Sequence, residues 1–294
     1  MLWAIFTLIA AAAQTARNAM QRELTATLGT VGATHVRFLF GFPFALIFLF
    51  GLLAVTGVSL PATPLVFWPW VLAGAMSQIA ATALMLSAMG ERSFVVAYAY
   101  IKTEPVQVAL FGLIFLGDSI TPLSAVAIVI ATAGVIVMSL KPGAGSAGTT
   151  RSTLIGLGGG TMFALSAIGY RGAILALQIP DFVLAATFTV SVGLVIQAAL
   201  LSLYLALSDP QVLRNIMRAW KPSLFAGFMG AFASEFWFLA FAIATAASVR
   251  TLALVEVLFA QGVTYFVFKQ PTTKREALGI VLVVVGVALL VWAY

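Results

Sequence analysis

The chain has 294 residues, 62% hydrophobic and 8% charged, with 15 Lys and Arg, 9 Asp and Glu, one His and no Cys. A water-soluble domain needs roughly a quarter of its residues charged to cover its surface, so this composition places the chain in lipid. It also excludes disulfides, thiolate zinc sites, Cys nucleophiles and His-rich metal clusters, and the net charge of +6 is not gathered into a basic run that would point to nucleic acid.

Apolar stretches long enough to cross a hydrocarbon core of roughly 30 Å follow one another with short gaps. In chain order they are predicted at 2–21, 31–56, 66–88, 94–116, 121–140, 153–173, 182–207, 222–244, 247–268 and 275–293, ten in all. The gaps fall on turn and breaker residues: Gly57 with Pro61 and Pro64, Gly90, Gly117 to Pro122, Pro180, Asp209-Pro210, Pro222 and Pro271. The first span begins at Met1 without a positive leader, and Gln14, Arg17 and Asn18 fit a retained helix better than a cleaved signal. Runs this long exclude the strands of a membrane barrel, which alternate over about ten residues. The predicted fold is an all-α integral membrane bundle.

The longest polar, Gly-rich stretch, residues 141–151, divides the spans into five and five and is the predicted linker between units 1–140 and 152–294. Shifted by 152 positions, Glu104 falls on Glu256, Gly134 on Gly286 and Leu116 on Phe268, and at nearly the same offset Arg17 corresponds to Arg171. An odd number of spans per unit makes the second unit inverted with respect to the first, around a central cavity. The loops after spans one, three, five, seven and nine hold Arg22, Arg92, Lys141, Arg151, Arg214, Arg218, Lys221, Lys269, Lys274 and Arg275, whereas the other side has Arg171 and Arg250 at helix ends. By the positive-inside rule the charged side is cytoplasmic and both termini face outward.

Ionisable groups at mid-bilayer cost several kcal/mol, so those that remain face a cavity or a partner. Glu104 lies midway along span four, beside Lys102 and before Pro105; Glu256 takes the matched place in span nine, and Glu235 is near the middle of span eight. Such a carboxyl can exchange protons or hold an ammonium group near the midplane, or it can neutralise a buried Arg or Lys and fix helix register. Lys102, Arg37 or Arg250 are the expected counter-charges or contacts for a substrate carboxylate, with Arg17 a further ionisable group late in span one, while Lys102 and Glu104, two residues apart, point to different faces and need not pair. Pro105 removes a backbone hydrogen bond within the span, as a hinge or as a static kink. Gln78, Tyr98, Tyr100 and Trp237 are candidate walls for a small organic ligand, with helix contacts as the alternative role. The glycines at 156 and 158–160 lack a following Gly-Lys-Ser and a preceding strand, which makes them packing residues rather than a phosphate loop.

The string Ala-Met-Gly-Glu-Arg-Ser-Phe-Val-Val-Ala at 88–97, then Glu104-Pro105, Gly117-Asp118 and Gly134-Val-Ile-Val-Met, resembles the EamA-type repeat of the drug/metabolite transporter superfamily, and Arg37-Phe38 matches the start of that repeat's second helix. The second half is similar from Ala242 to Val291, but Val257 replaces the proline and Lys269-Gln270 stands where the acid would be. The resemblance implies a ten-helix secondary carrier of the inner membrane that exports amino acids or similar metabolites by alternating access. It also implies cytoplasmic termini in many relatives, against the charge count.

The expected activity is therefore export of a small metabolite, with protons as a candidate coupling partner, no cofactor or metal, and no enzymatic reaction. Lys102, Glu104, Glu235 and Glu256 are the expected charged contacts, and Gln78, Tyr98, Tyr100 and Trp237 the expected walls. The alternatives are a carrier of phosphorylated metabolites or nucleotide sugars, and a membrane enzyme or scaffold.

Overall fold

A computed structural model of the chain describes residues 1–89, 99–139, 150–266, 269 and 272–293. Among them the structure is helical, without strands, and eight helices are long and apolar enough to cross a membrane. The elements are α1 (Leu2–Leu39), α2 (Phe42–Thr56), α3 (Phe67–Met89), α4 (Glu104–Phe111) continued by a π-helical turn (Gly112–Leu116), α5 (Pro122–Ser139) and α6 (Thr150–Ala176). They continue with α7 (Phe182–Ser208), α8 (Pro210–Arg218), α9 (Trp220–Ile243), α10 (Ala246–Leu252), a 3-10 turn (Ala253–Val255), α11 (Glu256–Phe266) and α12 (Lys274–Ala293). Helix α6 begins at Thr150, inside the stretch expected to be linker.

Helix α1 is two arms rather than one rod. Gly29, with φ of 68° and ψ of 176°, interrupts it, and the Gln21 side-chain amide donates to the Ala33 carbonyl at 2.9 Å. Twelve residues of straight helix would separate those groups by about 18 Å, so the chain doubles back at Gly29, whose left-handed φ costs glycine nothing. The expected spans 2–21 and 31–56 thus become arms that meet at a one-residue turn.

Other boundaries are set by local chemistry. Asp181 caps α7 by accepting from the Val183 and Leu184 amides at 2.9 and 3.3 Å, and Asp209 followed by Pro210 starts α8 in the same way. Thr273 and Glu276 form a reciprocal capping box at α12: the Thr273 amide donates to Glu276 Oε2 at 2.7 Å and the Glu276 amide to Thr273 Oγ1 at 3.3 Å. Helix α8, read from the sequence only as a break, is a short amphipathic segment that tucks Ile216 inward and leaves Arg214 and Arg218 outside.

The most extensive helix contacts join α3 to α6, α1 to α9 and α5 to α12. Lipid tails offer no hydrophobic gain for helix association, so close van der Waals approach must supply it. At α5–α12 a Cβ on Gly134 would lie 2.7 Å from the Val283 nitrogen, and one on Gly279 would lie 2.7 Å from the Gly134 carbonyl oxygen. The outward faces carry Phe50, Leu113, Phe115, Leu203 and Trp292, a surface suited to acyl chains.

Replacing Gly134 by Val should lower stability by about 1–3 kcal/mol through overpacking, read as a lower melting temperature in detergent. Gly51→Val serves as the control, because a Cβ there meets nothing within 4 Å.

Candidate functional site

Two helices that carry the central glutamates are broken where those glutamates stand. After Ile101 the chain makes a turn at Lys102 and Thr103, and α4 restarts at Glu104 with Pro105 in its first turn. A proline there forfeits no helical hydrogen bond, since first-turn amides have no intrahelical acceptor. The matched stretch 152 residues on is the 3-10 turn Ala253–Val255, followed by Glu256 at the start of α11. A break occurs in the second segment without a proline, so Pro105 is not its general cause.

These breaks present four charges to one another. Arg250 on α10 donates to Glu104 through Nε and Nη2, both at 2.6 Å, in a forked geometry. Lys102 is ion-paired with Glu256. Each pair joins residues of the first half to residues of the second, and the neighbours Lys102 and Glu104 take different partners. Gln14 on α1 links the two pairs: its amide nitrogen donates to Glu256 Oε2 at 3.3 Å, while its oxygen accepts from the Trp237 indole at 3.2 Å. The Arg250 guanidinium in turn lies 4.8 Å from the Trp237 ring centroid. The result is a continuous polar chain from Lys102 through Glu256, Gln14, Trp237 and Arg250 to Glu104.

Beside this chain lies an internal cavity of about 30 Å³. Gln14, Arg37, Gln78, Ser166, Tyr170, Ser234 and Arg250 give it polar walls, and Phe163, Trp237, Phe238 and Phe241 give it aromatic ones. One water needs roughly 10–15 Å³ of such space, so the cavity is closed down to the size of a water or two. Gln78 is fixed by Tyr170 Oη and by the Gln197 amide, which donate to its oxygen at 3.3 and 2.9 Å. Arg37 donates to Thr82 Oγ1 at 3.3 Å and Ser234 Oγ at 3.4 Å. A larger open cleft of about 530 Å³, lined by Met20, Leu24, Arg218 and Pro222 among others, faces outward between α1, α8 and α9 and contains none of these residues.

Of the residues singled out in the sequence, Gln78 and Trp237 line the cavity, and Lys102, Glu104 and Glu256 form the adjoining ion pairs. Tyr100 stands at the break in span four, where its carbonyl accepts from the Thr103 hydroxyl at 2.7 Å, and it is not among the cavity-lining residues. Glu235 turns away toward α7, accepting from the Thr187 hydroxyl at 2.5 Å. Tyr98 lies outside the described residues. Gln14 had only its polarity inside a span to mark it, and Phe163, Phe238 and Phe241 had nothing to distinguish them among 23 phenylalanines.

Residues 1–140 match the EamA-like transporter family. That match, over just under half of the chain, places it in the drug/metabolite transporter superfamily. It is a multi-pass membrane transporter of that type, with a small-molecule substrate and the bilayer as its surroundings. No curated protein matches it in sequence. A crystal structure of a protein 15% identical superposes with a TM-score of 0.72 over 99% of this transporter and 95% of the other chain, a likeness of fold alone. Half of the polar network, including Trp237, Arg250 and Glu256, lies beyond the residues matched to the family.

Removing one member of a buried pair strands the other charge at a cost of about 3–5 kcal/mol, whereas removing both costs much less. Glu104→Gln should therefore lower the melting temperature in detergent more than the Glu104→Gln, Arg250→Gln double variant does.

Proposed function

We propose that the transporter is a secondary carrier that exports small metabolites, amino acids foremost, across the inner membrane by alternating access between two inverted five-helix halves. In this reading the two arms of α1, the second continued by α2, make the first two of ten crossings, and α10 with α11 makes the ninth. The contact pattern supports inverted halves: α1 against α9 and α3 against α6 exchange with each other under the repeat, and α5 against α12 maps onto itself.

The observation that carries the mechanism is the crossed pairing of Lys102 with Glu256 and of Arg250 with Glu104. The pairs clasp the halves together beside a closed cavity, so opening that side requires both to part. Four buried charges cannot be left bare in lipid, and each must then find water, substrate or a new partner. Substrate arrival from one side can supply that replacement, which couples occupancy to the change of access. The turn at Lys102-Thr103 and the 3-10 turn at Ala253–Val255 interrupt the α-helices next to the clasp, and discontinuous helices are where inverted-repeat carriers build their sites. A glutamate released from its cation is also a place where a proton can bind, and this makes the pairs candidate elements of proton coupling.

The test is efflux of a panel of labelled amino acids from preloaded proteoliposomes, with and without an imposed pH gradient. Efflux above protein-free vesicles is expected for at least one class, and Glu256→Gln should reduce it roughly tenfold or more, as loss of a charge-assisted contact implies. A gradient response present in the parent and absent in Glu256→Gln would assign the coupling proton to the clasp. Absence of efflux for the whole panel would remove the amino-acid reading and favour phosphorylated metabolites.

A further inference from the structure

Five cations lie buried in the described bundle, and they are not treated alike. Lys102, Arg171 and Arg250 each face a carboxylate, namely Glu256, Asp118 and Glu104. Arg17 and Arg37, 1% and 2% exposed, have no carboxylate within ion-pairing distance among the described residues. Arg17 is held through Nη2 by the Asn18 side-chain oxygen at 2.7 Å, and its Nε and Nη1 are buried without a hydrogen-bond acceptor. Arg37 reaches only the hydroxyls of Thr82 and Ser234, at 3.3 and 3.4 Å, and its Nε has no acceptor. The two side chains run over the same glycine: a Cβ on Gly230 would lie 3.1 Å from Arg37 Cγ and 3.4 Å from Arg17 Cδ.

The repeat sharpens the contrast. Arg171, the counterpart of Arg17, donates to Asp118 at 3.3 Å. Asp118 shifted by 152 is position 270, which is Gln and lies outside the described residues. The second half therefore has a neutral Gln where the first half has the acid that pairs with Arg171. A buried cation without an anion is costly, and selection has every route to remove one that does nothing. Arg37, moreover, opens onto the central cavity, whose lining contains no carboxylate among the described residues to receive an ammonium group.

We propose that Arg37, backed by Arg17 and flanked by Thr82 and Ser234, seats the anionic oxygens of the substrate, a carboxylate or a phosphate, so that the carrier prefers small metabolites of net negative charge over neutral or basic ones. The assignment rests on the carrier reading above and narrows its substrates to acidic amino acids and similar organic anions. A guanidinium fork with free N–H groups matches two anionic oxygens in a plane, and the hydroxyls complete the shell.

Two measurements on the full-length protein separate this assignment from the carrier reading. In the first, proteoliposomes are preloaded with equal concentrations of labelled glutamate, succinate, glycerol 3-phosphate, leucine or lysine. Faster efflux of one or more anions is expected, with Arg37→Gln raising the anion KM roughly tenfold or more and leaving no preference by charge. Preference for glutamate and succinate assigns carboxylates, and preference for glycerol 3-phosphate alone assigns phosphorylated substrates to the same seat. Leucine or lysine leaving as fast as every anion would overturn the proposal while leaving the carrier reading intact. In the second, the purified protein is melted in detergent with each compound: an anion should raise the melting temperature of the parent and not of Arg37→Gln. Failure of every anion to do so, or an equal rise in the variant, overturns the seat, even where no compound is transported. Should Arg37→Gln fail to accumulate, Arg37→Lys keeps the charge and loses the fork; its glutamate KM should rise while its leucine KM does not, and equal values for parent and variant overturn the proposal.

Discussion

Charge inside a bilayer has to be cancelled locally, and here it is cancelled across the chain. Lys102 and Glu104 sit two residues apart on a broken helix, and each reaches into the second half, to Glu256 and Arg250. This crossed arrangement fixes how the first 140 residues meet the last 143, because parting either pair leaves two uncompensated charges in a low-dielectric interior. The breaks in the two glutamate-bearing helices follow from the same demand. A continuous helix would space Lys102 and Glu104 around its cylinder, whereas the turn at Lys102-Thr103 lets both project toward partners on α10 and α11.

Gln14 and Trp237 make the two pairs one network. An amide can donate at one end and accept at the other, which is what the gap between Glu256 and the Trp237 indole requires. The indole face then supports the Arg250 guanidinium while its N–H is spent on Gln14. Movement of α1 or α9 therefore disturbs both ion pairs together. Such coupling suits a bundle that changes between discrete arrangements rather than deforming gradually, since a half-broken network in a low-dielectric interior is worse than either complete one.

The sequence made some of this legible and hid the rest for physical reasons. Long apolar runs announce membrane helices by composition alone, and the buried glutamates stand out because ionisable groups are so rare in them. Their partners do not: Glu104 and Arg250 are 146 residues apart, and no local spacing connects them. The reversal at Gly29 falls in the polar gap between the expected spans 2–21 and 31–56; what the sequence hides is how short it is, because a single residue with positive φ makes the turn and helix continues on both sides of it. Asp209-Pro210 was read as a break and is instead a helix start, a double meaning the pair always has, as Asp can cap and Pro can open a helix. Pro105 was read as an interruption within a helix; because the preceding turn already ends that helix, the proline marks a beginning.

Arg17 and Arg171, at matched places in the sequence, are engaged differently. Arg171 is engaged through both terminal nitrogens, with its Nε left without an acceptor: Nη1 donates to the carbonyls of Phe241 and Ala244, both at 2.5 Å, and Nη2 to Asp118. It closes the end of α9 and serves packing. Arg17, at the corresponding place, sits over Gly230 beside Arg37 with most of its donors unspent. Among the described residues Arg17 thus lacks the carboxylate that Arg171 has. Because that charge is enclosed by α1 and α9, the same helices whose Gln14 and Trp237 bridge the clasp, an anion arriving at Arg37 acts on the elements that hold the halves together.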